Sequence, residues 1–290
     1  MSWRPVRRSA LPHLQAWLKE DEWRHASLSS RIRHADAPPC FGRIADGRMW
    51  TLETSGGTAG VLHFSRYGVV LPSVKPGCSI EQNPDDRETL RRILSLRRDK
   101  LFSIIGESQV VERVESLVDG TPADSENYRL FSRDDVPEAV PPPMEGLECR
   151  RAGVEDLEKL WPLERDYQLE EVIRPGSYLD ERFSRLHFRK TLREQLVYYA
   201  VLNGKPVAKA GTNARGWRYD QIGGVFVEPN LRNRGLGRFV MHALLKDIHS
   251  QGRNPTLFVK LTNPAARALY SGLGFDDKGG FRISYWNGSG

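Results

Sequence analysis

Arg232, Arg234, Gly235, Gly237 and Arg238 crowd into one short turn, and their types are those that hold an anion. They stand in "VEPNLRNRGLGRFVMHALL", residues 227–245, which reads as the end of a strand, a tight glycine-containing turn and the start of an amphipathic helix. A helix N-terminus already carries partial positive charge. Arginines there cost a few tenths of a kcal/mol, up to roughly 1, unless an anion offsets them. Gly235 and Gly237 permit positive φ and let the backbone approach a ligand closely, so the N–H groups opening the helix can cradle phosphate oxygens. The turn is not a Walker loop, because no G-K-[ST] follows, and G-x-G-x-x-G is incomplete with no suitable acidic residue downstream. On these residues alone, an anion cradle and a solvated helix start both remain open.

The elements that must position this turn can be read on either side of it. "LECRRAG" is a short strand, and "VEDLEKLWPLERDYQLEEV" a helix with Leu157, Leu160, Trp161 and Leu163 at helical spacing despite Pro162. "SYLDERFSRLHFRKTLREQL" is a second helix, with Leu179, Phe183, Leu186, Phe188 and Leu192 as its expected buried face. "VYYAVLNGKPVAKAGTNA" is a hairpin around Asn203-Gly204. "QIGGVFV" is a strand, and the helix after the turn closes at Gly252. "TLFVKLT" is a strand, "NPAARALYSGLG" a short helix and "FRISYW" a closing strand, with another candidate strand at "FDDK". Helices interleaved with strands in this way predict a mixed sheet with helices packed on it.

The first half repeats this order of elements without repeating its residues. "SALPHLQAWLKEDEWRHASLSSRI" is helical, "RMWTLETSGGTAGVLHFSRYGVVLPSV" gives three strands, "DDRETLRRILSLRR" a helix, "LFSIIGE" a strand, "SQVVERVESLV" a helix and "YRLFS" a strand. Where the second half has its arginine-rich turn, the first has "KPGCSIEQNPDD", whose Asp85 and Asp86 suit a helix start and would repel phosphate. Between the halves lies "RDDVPEAVPPPMEGLE". Pro141, Pro142 and Pro143 cannot continue a helix or central strand, so a linker is expected at residues 136–146, between domains at 1–135 and 147–290. The final "NGSG" is expected to fray.

The 290 residues suffice for two domains with their own cores. The net charge of +6 is unevenly placed. Residues 1–145 hold 20 Lys and Arg against 21 Asp and Glu, a net of −1, and the rest hold 23 against 16, a net of +7. The excess belongs to the half with the turn and suits a polyanionic ligand. No apolar run follows the N-terminal charges as in a signal peptide, and no stretch reaches the roughly 20 apolar residues of a membrane span. Cys40, Cys78 and Cys149 show no paired spacing and read as reduced thiols, which places the expectation in the cytoplasm. The seven histidines show no metal-ligand spacing, so no metal is expected. The basic run Arg91, Arg92, Arg97, Arg98 and Lys100 reads as a solvated helix face.

Residues 232–237, Arg-Asn-Arg-Gly-Leu-Gly, resemble motif A of the GNAT superfamily of N-acetyltransferases, [QR]-x-x-G-x-[GA]. Downstream, "LFVKLTNPAARALYSGLGF" resembles that superfamily's next motif, with Asn263, Ala266, Tyr270, Gly274 and Phe275 at the matching places. The resemblance covers residues 147 to about 286, and the joint match is more specific than either motif. The whole chain also resembles bacterial two-domain GNAT proteins with an uncharacterised N-terminal domain, through "EEV" at 170–172, "AKAGTNA" at 208–214 and "GGVFVEPNLRNRGLG" at 223–237. The expected fold is therefore α/β, an α+β mixed sheet, in tandem GNAT-like domains of which the C-terminal one carries the acetyl-CoA motif.

The resemblance implies acetyl-CoA, or a related acyl-CoA, as donor. Its pyrophosphate would sit on the amides of Asn233, Arg234, Gly235, Leu236, Gly237 and Arg238, with Arg232 adding charge. Its pantetheine would run beside Val225, Phe226 and Val227 and bond to Asn263. Tyr270 would protonate the departing thiolate. Without the motif, Tyr270 reads as a core aromatic with a wet hydroxyl, and Asn263 before Pro264 as a helix N-cap. An amine acceptor is mostly protonated near neutral pH, so a base must take its proton. The superfamily often uses a carboxylate near its fourth strand. "QIGGVFV" has none, which leaves Asp220 just before it and Glu170 and Glu171 on the segment bordering the acceptor. Each also reads as a solvated carboxylate.

Together these readings predict a transferase that moves acetyl to an amine by direct attack in a ternary complex, with an N-terminal domain that walls the acceptor cleft or mediates homodimerisation. Two rivals predict other behaviour. A non-catalytic acyl-CoA-binding regulatory module predicts that Tyr270→Phe changes nothing. A nucleic-acid-associated protein predicts salt-sensitive nucleic-acid binding, although the interleaved aromatic and basic residues of such modules are missing.

Overall fold

The computed structural model describes residues 2–33, 43–44, 46–81, 83–95, 100–135, 141–174 and 176–286. Cys40, Arg97, Arg98, residues 136–140 of the linker and the tail at 287–290 lie outside the described residues. In chain order the elements are β1 (Ser2–Pro5), α1 (Leu11–Glu20), α2 (Ala26–Arg33), β2 (Arg43–Ile44), β3 (Gly47–Thr54), β4 (Gly57–Ser65), β5 (Val69–Val74), α3 (Pro84–Ser95), β6 (Ser103–Glu107), α4 (Ser108–Glu115) and β7 (Asp124–Ser132). There follow β8 (Leu147–Arg151), α5 (Leu157–Tyr167), α6 (Glu181–Glu194), β9 (Val197–Leu202), β10 (Lys205–Arg215), β11 (Tyr219–Val227), α7 (Leu236–Ser250), β12 (Asn254–Lys260), α8 (Pro264–Gly272) and β13 (Asp276–Tyr285). By its contacts the chain divides into one unit of Met1–Phe131, Phe258–Pro264 and Asp277–Gly290, and a second of Ser132–Leu257 and Ala265–Asp276.

The first unit is a mixed sheet in the order β1-β3-β4-β5-β6-β13-β7, with β2 on β3. β5 and β6 run parallel, Val69 facing Ser103, whereas β13 lies antiparallel on β6, Phe281 facing Glu107. The candidate strands "FDDK" and "FRISYW" are thus one strand, and β1, a four-residue strand absent from the sequence reading, pairs with β3. Trp3, Phe64, Leu90, Leu94, Ile104, Val111 and Val114 build its core. At the start of α3, Asn83 Oδ1 accepts the Asp86 N–H at 2.9 Å, and Asp85 and Asp86 fill the first turn. This helix end is capped by Asn83, and its two acidic residues complement the partial positive charge there.

One buried histidine gives the first unit a measurable pH signature. His25 stacks on Trp17 at 5.2 Å; its Nε2 lies 2.9 Å from Leu18 O and its Nδ1 3.1 Å from Ser73 Oγ. A carbonyl only accepts, so Nε2 carries the proton and Nδ1 accepts the hydroxyl, which is the neutral ring. Burial pushes its pKa down to about 4. The unfolded chain therefore takes up this proton first. The full stability holds above about pH 6.5, and about 3 kcal/mol of it is lost as the pH falls towards 4. The melting temperature should fall more steeply between about pH 7 and pH 5 in the wild type than in His25→Gln, and equal slopes would refute the assignment.

In the second unit β8, β9, β10 and β11 are antiparallel neighbours, and β11 continues in parallel with the start of β12. β9 and β10 join at Asn203 and Gly204, whose φ values of 51° and 80° are those of the tight hairpin turn their types predict. Val207 to Thr212 are buried without alternation, so β10 is covered on both faces. α5 packs along β10 and β11, and α7 along β9, β10 and β11. α7 buries Leu236, Val240, Met241, Leu244, Leu245 and Ile248, a single stripe at helical spacing. Pro162 is tolerated within α5 because it is exposed, where water can take the Glu158 carbonyl it leaves unbonded.

The expected buried face of α6 needs correction. Phe188 and Leu192 are buried together with Ser184, but Phe183 and Leu186 are 65% and 61% exposed, and Leu179 precedes the helix. Asp180 caps the start by accepting the Phe183 N–H at 3.0 Å. From there the four-residue spacing of 184, 188 and 192 takes the inward stripe, which leaves Phe183 and Leu186 about 140° and 160° around the helix from it.

Candidate active site

β11 changes character halfway along. Its register with β12 runs from Tyr219–Asn254 to Gln221–Thr256 and ends there. On its other side Phe226 faces Lys209 and Gly223 faces Gly211, so three steps on β11 match two on β10. The extra residue makes a bulge, and neither Gly224 nor Val225 has a Cα partner on β10. Gly224 adopts φ +65°, and a Cβ there would stand 3.1 Å from Lys209 Nζ. On the β12 side, the length of β11 that holds Val225, Phe226 and Val227 lies beyond the last paired residue, Gln221, and is an unladdered edge. Phe226 is buried, while Val225 and Val227 are half-buried.

The glycine turn follows directly. Asn233 and Gly235 have φ +60° and +81°, and Gly235 is the N-cap of α7. Leu236 is fully buried and anchors the helix, while Asn233, Arg234, Gly235 and Arg238 are exposed. The Phe239 N–H bonds Gly235 O at 3.0 Å, so the preceding amides of the helix have no acceptor within it. They point where an anion would sit. Two of the arginines also engage protein groups: Arg232 donates to Glu170 Oε2 at 2.7 Å and Val227 O at 3.2 Å, and Arg238 donates to Gly272 O at 2.8 Å.

The same unit fixes Tyr270 by the way α8 ends. Gly274, at φ +77°, donates its N–H to Ser271 O at 3.0 Å, and Phe275 donates to Tyr270 O at 3.1 Å. These two bonds are a Schellman closure, in which the residue after the left-handed glycine packs against the one five earlier. Here those residues are Phe275 and Tyr270, with ring centroids 6.0 Å apart. The Gly-Phe pair is therefore the clamp of the tyrosine. Burial first, then the neighbouring Tyr167 and Glu171, raise the pKa of the Tyr270 phenol well above its ordinary value. It is a protonated hydroxyl at neutral pH.

Between α5 and the bulge lies a polar cluster that the sequence reading did not single out. Lys209, 3% exposed, donates to Glu164 Oε2 at 2.9 Å and to Gly224 O at 2.8 Å, and lies 4.3 Å from the Tyr167 ring centre. Glu164 Oε1 accepts from Gln168 at 2.7 Å. After Tyr167 the helix widens into one π-helical turn, Gln168–Val172, which carries Glu170 and Glu171. Such turns are often found at functional sites. A cue was present in "PVAKAGT", where a single cation interrupts a run of small and apolar residues. Breaking a buried ion pair by removing one partner costs roughly 3–5 kcal/mol, whereas the intact pair adds little by itself.

The carboxylates separate by position. Glu171 is half-buried near Tyr270, and Glu170 is exposed and paired with Arg232. Asp220 is fully buried at the other end of β11, 3.1 Å from Arg215 and 3.5 Å from Arg253, about 20 Å of strand from Phe226. Asn263 stands half-buried before α8, its N–H on Lys260 O at 3.1 Å, and belongs by its contacts to the first unit. Cys78 and Cys149 are free thiols, and burial pushes Cys149 up to about 11, so it is not a thiolate at neutral pH. Among the described residues there is no group of three His, Cys, Asp or Glu able to hold a metal, and no helix long and apolar enough to cross a membrane.

Comparison with known proteins bears on the fold. A family model described as acetyltransferase (GNAT) family matches residues 157–275. No curated protein matches the chain significantly in sequence. Among solved structures, a Drosophila protein aligns with a TM-score of 0.63 at 16% identity, covering 99% of each chain. A tandem GNAT protein from the clavulanic acid biosynthesis pathway aligns at 0.56 and 14% identity, over 98% of this chain and 97% of that one. An acetyltransferase of the GNAT family from Colwellia psychrerythraea aligns at 0.53 and 14% identity, over 98% and 99%. At such identities the likeness is one of fold.

Proposed function

We propose that this chain, whose residues 157–275 match the family model described as acetyltransferase (GNAT) family, moves an acetyl group from acetyl-CoA to an amine by direct attack in a ternary complex. The observation that carries the reading is the sequence of features along β11: a bulge with an unladdered edge, then a glycine turn whose amides open α7. The donor's diphosphate fits the amides of residues 233–238, with Arg234 and Arg238 beside it, and its pantetheine fits the edge at Val225, Phe226 and Val227.

The amine nitrogen attacks the thioester carbon, and the negative charge moves to the carbonyl oxygen, where backbone N–H at Val225 would receive it. The C–S bond then breaks, and the buried phenol of Tyr270 gives its proton to the sulfur. Glu171 is our choice for the base that takes the amine proton, because it lies close enough to Tyr270 to act on its charge. Glu170 orients Arg232, and Asp220 serves the fold through its two arginines. Net transfer of one proton from nitrogen to sulfur restores both groups through solvent. No thiolate is required as an acyl carrier, consistent with the raised Cys149. The free thiols Cys78 and Cys149 support a reducing, cytoplasmic setting.

The test is calorimetric titration with acetyl-CoA, followed by a thiol-release screen of small amines, peptides and lysine-bearing proteins. Saturable binding with amine-dependent thiol release is expected. Binding without release for any amine class would favour a regulatory module, and no binding would overturn the reading.

A further inference from the structure

We infer that Lys209 is a positioning residue for acetyl transfer, holding and polarising the Gly224–Val225 peptide so that the Val225 N–H meets the developing oxyanion. The inference rests on the reading of this domain as an acetyltransferase. The Lys209 ammonium donates to the Gly224 carbonyl at 2.8 Å. The peptide is trans, so its N–H, on Val225, points opposite to that carbonyl and away from the ammonium. Neither residue has a partner in the β10 register, and the pairing of β11 with β12 has ended at Gln221. The bulge thus takes this peptide out of the register, and the lysine sets which way it faces.

The bond does more than orient. A cation hydrogen-bonded to an amide carbonyl draws charge through the amide, which makes the N–H on its other side a stronger donor. Gly224 is required for this arrangement, since its φ is +65° and a Cβ would stand 3.1 Å from Nζ. Lys209 is fixed in turn by Glu164 Oε2 at 2.9 Å and the Tyr167 face at 4.3 Å, and Gln168 holds Glu164 at 2.7 Å. A buried ion pair contributes little net stability. Stability alone therefore gives a poor account of a lysine buried here and aimed at the bulge.

The experiment is infrared spectroscopy of acetyl-CoA labelled at the thioester carbonyl, bound to wild type and to Lys209→Met/Glu164→Gln. The double change removes the cation without leaving an unpaired buried carboxylate. In wild type the carbonyl stretch should move to lower frequency on binding. In the double variant that shift should be lost while the acetyl-CoA Kd stays within about threefold, because the diphosphate turn is untouched. Turnover should fall about 10- to 100-fold with little change in the KM for acetyl-CoA. Lys209→Gln, which can keep a neutral bond to Gly224 O, should retain part of the shift and serves if the double variant does not fold. A variant that binds and keeps the full shift overturns the inference while leaving acetyl transfer intact. A wild type that binds without any shift overturns it as well. A wild type that does not bind acetyl-CoA overturns the underlying reading of the domain.

Discussion

Gly235→Glu should weaken acetyl-CoA binding by more than 100-fold, read by calorimetry, while the protein stays folded. Three effects add at this position. Gly235 has φ +81°, a conformation that costs a residue with a side chain roughly 1–2 kcal/mol. A Cβ would lie 3.1 Å from the Pro143 side chain, so the turn must shift to accept it. The new carboxylate would also stand beside the donor's diphosphate, and like charges about 5 Å apart at an effective dielectric near 20 repel by about 3 kcal/mol. Together these exceed the ~2.8 kcal/mol that a 100-fold loss requires. Gly235→Ala separates the terms. It carries the strain without the charge and should lose about tenfold. Binding within threefold of wild type by Gly235→Glu would mean that the diphosphate does not use this turn.

Tyr270→Phe should lower kcat by about 100-fold or more and leave the acetyl-CoA Kd unchanged, as expected for loss of a general acid. The substitution removes one oxygen and keeps the ring that packs on Phe275 across the helix closure. A fall in kcat with intact melting behaviour is therefore chemical in origin. The pH profile gives an independent check. A general acid works only while protonated, so its activity is lost as pH rises through its pKa. Burial raises that of Tyr270 above the ordinary tyrosine value near 10. Between about pH 7 and pH 9 no decline should come from this group in the wild type. An unchanged kcat in the phenylalanine variant would favour the regulatory-module reading and would place the proton donor elsewhere.

Local chemistry was legible in the sequence. The glycine turn, the Asn-Gly hairpin and the Gly-Phe pair after Tyr270 each specify backbone geometry through residues that tolerate or close a left-handed conformation, and φ values of +81°, +80° and +77° at Gly235, Gly204 and Gly274 follow. Helix periodicity gave α7 its inward stripe for the same reason, since both are properties of a short window of chain. Partnership was not legible. A strand's alternation marks its faces but does not name its neighbour. That "FRISYW" pairs with β6 emerges only from the assembled sheet. Which turn of α6 faces inward depends on where Asp180 starts the helix, so Phe183 and Leu186 could not be separated from Phe188 beforehand. Lys209 and Glu164 lie far apart in sequence and meet because α5 crosses β10, and Asp220 is committed to Arg215 and Arg253 at the opposite end of β11. The sequence by itself determined that a left-handed glycine turn opens α7 and that a left-handed glycine follows the tyrosine of α8. Tertiary structure decided which buried charges surround them, because a charge is stable in the interior only beside a partner that the fold brings from elsewhere in the chain.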